Sequence, residues 1–289
     1  MKMKKIKMAI MALMAPLSCF ITSCSPLNAG DSFIATTDDG IYRYEVVVSR
    51  RNYVRIFPVQ NAGAVADIVR IPGTITYEGQ TYIVSQIGEN AFRNYTNITS
   101  VVLPSTISVI EAAAFKNCTS LISINTPQPL STIGNYAFDS CISLQAFNLN
   151  ASLSSLGDGC FRDCSSLTQV SFPSSFTVIP NQAFSNCTSL SSIELSATIL
   201  NIGSDAFSGC TNATSLSLGS SVQSIGGRAF ANCNSLQEIR ITTAMPPTCL
   251  SSTFDSVPEN IPVTVPISHV QDYRNATGWN HFTNYIGSY

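Results

Sequence analysis

A phenylalanine returns at every twenty-third position through the middle of this chain: Phe92, Phe115, Phe138, Phe161, Phe184, Phe207 and Phe230, without a slip of register. The surrounding positions keep the same step. Five residues before each Phe stands Ile87, Ile110, Ile133, Leu156, Ile179, Ile202 or Ile225, and one before stands Ala, or Cys160 in the fourth unit. Three after stands Tyr95 in the first unit, then Cys118, Cys141, Cys164, Cys187, Cys210 and Cys233. Nine after stands Val101, Ile124, Phe147, Val170, Ile193, Leu216 or Ile239. A unit this short cannot enclose a core of its own, so each copy must bury its apolar face against the next, and the chain is constrained to a solenoid. Seven phenylalanines in an exposed row would make an apolar patch beyond what a soluble surface carries. Burying each contributes roughly 1.5–3 kcal/mol, so they are predicted to be core.

The segment after each Cys, as in Leu236-Gln237-Glu238-Ile239-Arg240-Ile241, ends in the alternation of a half-buried strand. The rest of the unit holds no window for an ordinary helix of ~11 residues and allows at most one helical or 3₁₀ turn around Ala-Phe. Gly88, Gly134, Gly157, Gly203 and Gly226 follow the recurrent Ile, where a tight bend is expected; Glu111 and Pro180 hold that place in units two and five, so the bend does not demand positive φ. The predicted fold class is a predominantly β repeat solenoid with short turns or 3₁₀ segments, its seven repeats spanning residues 83–242.

Both ends depart from the period. Lys2, Lys4, Lys5 and Lys7 precede an apolar run from Met8 to Phe20. That run is too short for a permanent span of ~20 residues, and with its basic head it describes a secretory signal over residues 1–23. Ile21-Thr22-Ser23-Cys24 resembles a bacterial lipobox, which implies that Cys24 is acylated, begins the mature chain and touches the membrane only through that lipid. Residues 24–82 are expected to form a β-rich N-terminal cap. Within it, 40–48 and 53–57 read as strands, 74–77 and 80–84 flank a Glu78-Gly79 hairpin signal, and Arg50-Arg51 reads as a solvated loop. Residues 243–289 are expected to close the other end. There Phe254 arrives one position late after Phe230, followed by an imperfect strand over 263–266, a short helix over 270–276, and bulky Trp279 and Phe282.

The unit I-G-x-x-A-F-x-x-C-x-S-L-x-x-I-x-L resembles the BspA-like leucine-rich repeat of bacterial surface proteins. Ile71-Pro72, Thr76-Tyr77-Glu78-Gly79-Gln80-Thr81-Tyr82 and Ile87-Gly88 before the repeats look like the segments that flank them in that family. Pro246-Pro247, Val265-Pro266, Tyr273 and Gly278-Trp279 after them do too, so the likeness spans roughly residues 68–287. It implies a leucine-rich repeat fold in a surface-exposed protein with roles in adhesion and in binding host proteins. Two units depart from the pattern: Tyr95 replaces Cys in the first, and Ala213 replaces Leu in the sixth.

Loss of residues 1–23 lowers Lys and Arg from 15 to 11 against 17 acids, a net charge of about −6. Such a surface is a poor counterpart for phosphate backbones, and nucleic acid is not expected as a partner. The six cysteines at the repeat step spread along a line, whereas a metal needs ligands converging on one point. They read as buried thiols acting as small hydrophobes, Cys160 as a core substitution, and Cys249 has no evident partner. His269 and His281 both fall in the C-terminal cap, with no G-x-S-x-G elbow and no glycine-rich phosphate loop. No enzyme activity, metal site or cofactor is expected. What remains is the outward side of the strands. Alternation places there Ser100, Val102, Ser123, Asn125, Ala146, Asn148, Gln169, Ser171, Ser192, Glu194, Ser215, Ser217, Glu238 and Arg240. The polar members are the candidate binding face for an extracellular or host protein. A glycan ligand or a structural role in the envelope is the alternative, although no Trp or Tyr stripe offers a sugar-stacking platform.

Overall fold

The computed structural model describes residues 6–7, 27–37, 40–47, 52–59 and 66–288; Cys24, the rest of the signal segment and the Arg50-Arg51 doublet lie outside them. Alternating apolar residues build an antiparallel meander of β1 (Ser32–Thr37), β2 (Gly40–Val46) and β3 (Tyr53–Pro58), burying Phe33, Tyr42, Tyr44, Val54 and Ile56. After β4 (Ile68–Arg70), β5 (Thr74–Tyr77) and β6 (Gln80–Ile87) form the expected hairpin. Glu78 and Gly79 close it with φ of 49° and 77°, the left-handed pair of a type I′ turn. β3 pairs in parallel with β6, and β6 with Val109–Ile110, so the cap's sheet runs straight into the solenoid. Arg55 of β3 fastens the two: it donates to Glu45 and to Glu111, each at 2.9 Å, and Glu111 accepts the Glu89 N–H at 2.9 Å. That contact accounts for Glu in the glycine slot of unit two.

The repeats supply rungs to two parallel ladders, each interrupted once. One stacks Val109–Ile110, Thr132–Ile133 and Ser155–Leu156, then Val178–Ile179, Asn201–Ile202 and Ser224–Ile225. The other, the strand face, stacks β4, Ser100–Val102 and Ser123–Ile124, then Ser192–Glu194, Ser215–Leu218 and Glu238–Ile241. At the recurrent glycine the demand is space: a Cβ on Gly134 would lie 2.6 Å from the Ala112 nitrogen of the preceding turn.

The Ala-Phe corner is neither strand nor helix. In all seven repeats the residues two before and two after the Phe have positive φ, from Asn90 and Asn94 at 55° and 66° to Arg228 and Asn232 at 60° and 61°. A left-handed residue therefore stands on each side of a three-residue stretch centred on the Phe, and every second N–H points along the axis. Asn90, Phe92 and Asn94 donate to the carbonyls of Ala112, Ala114 and Lys116 one turn on, at 3.0, 2.7 and 2.8 Å. The pattern recurs as far as Asn232 to Asp255 at 2.7 Å. This third ladder replaces the helical turn that the sequence allows. Among the described residues, 3₁₀ turns occur only in the C-terminal segment, at Ser251–Phe254, Ile267–His269 and Trp279–His281. The ladder also aligns the rings: Phe92 and Phe115 stack at 5.2 Å and 4°, and successive pairs continue to Phe207 and Phe230 at 5.7 Å and 3°.

The C-terminal segment does more than cap. Phe254 extends the stack to an eighth ring, 5.6 Å from Phe230. Pro262–Pro266 pairs in parallel with Glu238–Ile241, and Asn284–Ser288 pairs with Pro262–Pro266, so two further turns bring the solenoid to about nine. The short helix α1 (Val270–Asn275) buries Tyr273 beside Trp279, whose indole N–H donates to the Pro247 carbonyl at 2.8 Å.

Candidate binding face

The twelve candidate polar residues face outward, within strands or, at Asn125, Asn148, Gln169 and Ser171, in extended chain outside them, and Val101, Ile124, Phe147, Val170, Ile193, Leu216 and Ile239 are buried between them. Where rungs pair, the outward residues align in rows. Ser100 and Ser123 bring their hydroxyls to 3.3 Å, Ser192 sits in register with Ser215 and Glu238, and Glu194 with Ser217 and Arg240. Some are already engaged. The Asn125 Oδ1 accepts the Leu103 N–H at 2.6 Å while its Nδ2 donates to the Leu103 carbonyl at 2.9 Å, the side-chain amide standing in for a backbone rung. Glu238 and Arg240 pair with each other at 3.0 Å.

The strand face opens where the chain departs from its own repeat. On this face no paired strands lie between Ile124 and Ser192. Ser191 still donates to the Thr168 carbonyl at 3.4 Å, but no backbone hydrogen bond joins 169–172 to 192–196. Phe147 and Phe172 fill inward slots here that other turns give to Val, Ile, Leu or Thr. The Phe147 ring packs 5.1 and 4.8 Å from Phe138 and Phe161, and Phe172 lies 5.6 Å from Phe184. A phenyl group in a layer sized for aliphatic side chains holds neighbouring strands apart. The opposite ladder breaks at the same height. Gly157 and Gly203 donate to the Ile133 and Ile179 carbonyls at 2.8 Å, whereas Pro180 has no N–H to give Leu156. The corner ladder alone continues unbroken, with Phe161 donating to the Ala183 carbonyl at 2.9 Å.

The opening is a cleft of about 520 Å³ between turns four and five, floored by Val170, Phe172 and Leu195 and rimmed by Gln169, Ser171, Ser191, Ser192, Glu194 and Ser196. It falls within the candidate row, and sequence reasoning did not single it out. The signal was present in the coincidence of Phe147, Phe172 and Pro180.

The other groups weighed in the sequence have structural partners. Each repeat thiol donates to the carbonyl of the Phe one turn back, from Cys118 to Phe92 at 3.0 Å to Cys233 to Phe207 at 3.2 Å. Unit one has no such carbonyl behind it, and there Tyr95 stands in place of Cys, its ring edge-on to Phe92 at 6.0 Å. The repeat cysteines are buried and free, and burial pushes the Cys118 thiol up to about 12. His269 Nδ1 lies 2.8 Å from Asp272, and His281 Nε2 lies 2.8 Å from the Val257 carbonyl. An ion cluster appears that the sequence reading did not anticipate. Asp139, fully buried, accepts from Lys116 at 2.8 Å and from Nε and Nη2 of Arg162 at 2.9 Å each. Among the described residues, no three His, Cys, Asp or Glu side chains gather as a metal site would need, and no helix is long and apolar enough to cross a membrane.

Comparison with known proteins agrees with this architecture. A family model for the BspA type leucine rich repeat region, in six copies, matches residues 85–212 and 177–267, which is more than half of the chain. No curated protein sequence matches. The crystal structure of a T. pallidum leucine rich repeat protein is similar with a TM-score of 0.59 and 28% identity, over 68% of this chain and 87% of that one. The pneumococcal vaccine antigen PcpA shares the fold with a TM-score of 0.52 and 17% identity, over 91% of this chain and 100% of that one.

Proposed function

The chain belongs to the BspA-type leucine-rich repeat family, and on that premise we propose that it is an exported, non-enzymatic recognition protein of the bacterial surface. In this reading it binds a protein ligand through its strand face and is held to the membrane by a lipid on Cys24. The observation that carries the reading is the outward row of polar side chains over seven turns. At its centre, Gln169, Ser171, Ser192 and Glu194 surround an open cleft and are engaged by no other side chain among the described residues. Solenoids present extended surfaces of this kind to macromolecular partners. The absence of Trp and Tyr from the row removes the stacking platform that a glycan would use.

The test is a variant with Ser123, Asn148, Ser171 and Ser192 all changed to Asp, probed with the parent chain on arrays of extracellular matrix proteins and glycans. Loss of protein binding by a normally folded variant is expected. Retention of every interaction would remove the strand face as the site, and binding confined to glycans would select the alternative ligand. Protease shaving of intact cells addresses display: the protein should be lost before lysis, and survival until lysis would place it facing inward. A Cys24→Ala variant should leave the membrane fraction.

A further inference from the structure

The cleft between turns four and five differs chemically from the rest of the strand face. Its floor is apolar, and its one charged group is Glu194. Farther along the face the Glu238–Arg240 pair neutralises itself at 3.0 Å, whereas no donor of the described chain meets the Glu194 carboxylate. The broken ladder adds acceptors, because the carbonyls of residues 169–172 receive no backbone hydrogen bond.

We infer that this cleft is a subsite for a basic side chain, arginine or lysine, projecting from the protein ligand. The aliphatic stem rests on Phe172 and Leu195, and the cationic head meets Glu194 and the carbonyl oxygens that receive no backbone hydrogen bond. A guanidinium or ammonium group carries donors and no acceptor, so it satisfies a lining of carboxylate, hydroxyl and carbonyl oxygens without leaving an acceptor of its own unpaired. The division of apolar floor from charged rim suits side chains that bury methylenes while keeping the charge beside water. An acidic or apolar ligand group would leave Glu194 uncompensated. The inference rests on the strand-face reading above and narrows it to one position and one chemistry.

The experiment titrates the full chain with N-acetyl-arginine amide, using N-acetyl-norleucine amide and glucose as controls, and follows backbone amide shifts. Saturable shifts confined to 169–172 and 191–196 are expected with the arginine probe alone, weakening as salt is raised. Glu194→Gln should bind about fivefold more weakly, the upper end for a solvent-accessible ion pair. Phe172→Leu, which leaves Glu194 in place, should close the ladder and abolish the shifts. Equal binding by Glu194→Gln, saturation by glucose, undiminished binding by Phe172→Leu, or no saturable shift at the cleft would each overturn the assignment. The two readings fail separately. Arginine binding at the cleft with full ligand binding by the four-Asp variant sinks the strand face as the ligand site. A silent cleft with lost ligand binding by that variant sinks only the subsite.

Discussion

Replacing Asp139 by alanine asks what a buried carboxylate contributes to a solenoid otherwise held by apolar stacking. Asp139 is fully buried and joins Lys116 of the second repeat to Arg162 of the fourth, at 2.8 Å and through two bonds of 2.9 Å. Stranding the partners of a buried pair costs about 3–5 kcal/mol. Here the Lys116 and Arg162 side chains retain 24% and 32% exposure, so water reaches both cations once the carboxylate is gone. Exposed pairs contribute at most about 1 kcal/mol, and the expected loss is about 2–3 kcal/mol, between that and the buried case. Urea unfolding of Asp139→Ala beside the parent chain measures it. Hydrogen exchange should place the weakening in turns two to four, since each turn of a solenoid contacts only its neighbours. The decisive control is the triple variant with Lys116→Met and Arg162→Met. If the loss comes from stranded charge, removing both cations recovers most of it. A loss below about 0.5 kcal/mol for Asp139→Ala, or a triple variant no more stable than the single, would refute the reasoning.

The left-handed residues of the corner make a paired prediction. Gly209→Ala should lose at least about 1 kcal/mol, because φ is 77° and the new Cβ meets Asn186 Oδ1. Ala113→Gly should stay within about 0.5 kcal/mol of the parent, since relief at φ 52° offsets the added chain entropy; thermal melting checks both. Of the eight described thiols, only the half-buried Cys249 should react with a thiol reagent in the folded protein, and all eight should react after unfolding without reductant. A shortfall in the unfolded titration would mean disulfides. Burial raises Cys118 from 9.0 to about 12, so above pH 9 the unfolded chain ionises thiols that the folded chain keeps protonated. The thiol contribution should therefore be constant below pH 9 and be lost between pH 9 and 12, and a urea midpoint at pH 10 no lower than at pH 8 would contradict this.

Much of the fold was legible because a stacked unit presents the same demand at every turn. The Phe stack, the buried thiols and the outward strand row all follow from residues that recur at fixed steps. The corner was only half legible. Two residues after the Phe stand Asn94, Asn117, Ser140, Asp163, Asn186, Gly209 and Asn232, types that include the usual occupants of left-handed backbone. Two before stand Asn90, Ala113, Tyr136, Gly159, Gln182, Asp205 and Arg228, of which Asn90, Gly159 and Asp205 are such types and the other four are not. At Ala113, Tyr136 and Gln182 the conformation is imposed by hydrogen bonds to the next turn and not by local preference, so the pattern is not legible in every unit. The last two turns were hidden for a related reason. The partner of Ile239 is Val263, one position beyond the regular step, and the partner of Val263 is Tyr285, one position short of it, so the ladder survives while the sequence register slips.

Departures from the period carry what the period itself leaves out. Glu111 breaks the glycine slot and ties the cap to the solenoid through Arg55. Tyr95 breaks the cysteine slot at the one turn with no Phe carbonyl behind it. Phe147, Phe172 and Pro180 break three slots between turns three and five, and there both strand ladders part while the corner ladder holds. A scaffold selected only for stacking gains nothing from replacing a rung-forming aliphatic with a ring and a hydrogen-bonding glycine with proline, since each forgoes backbone pairing. The same substitutions leave open acceptors, an apolar floor and an unpaired carboxylate at the centre of an otherwise uniform face. In a chain whose core repeats, the place where the repeat fails is therefore where recognition has room to be specific, and Glu194 is the residue on which that expectation is most sharply tested.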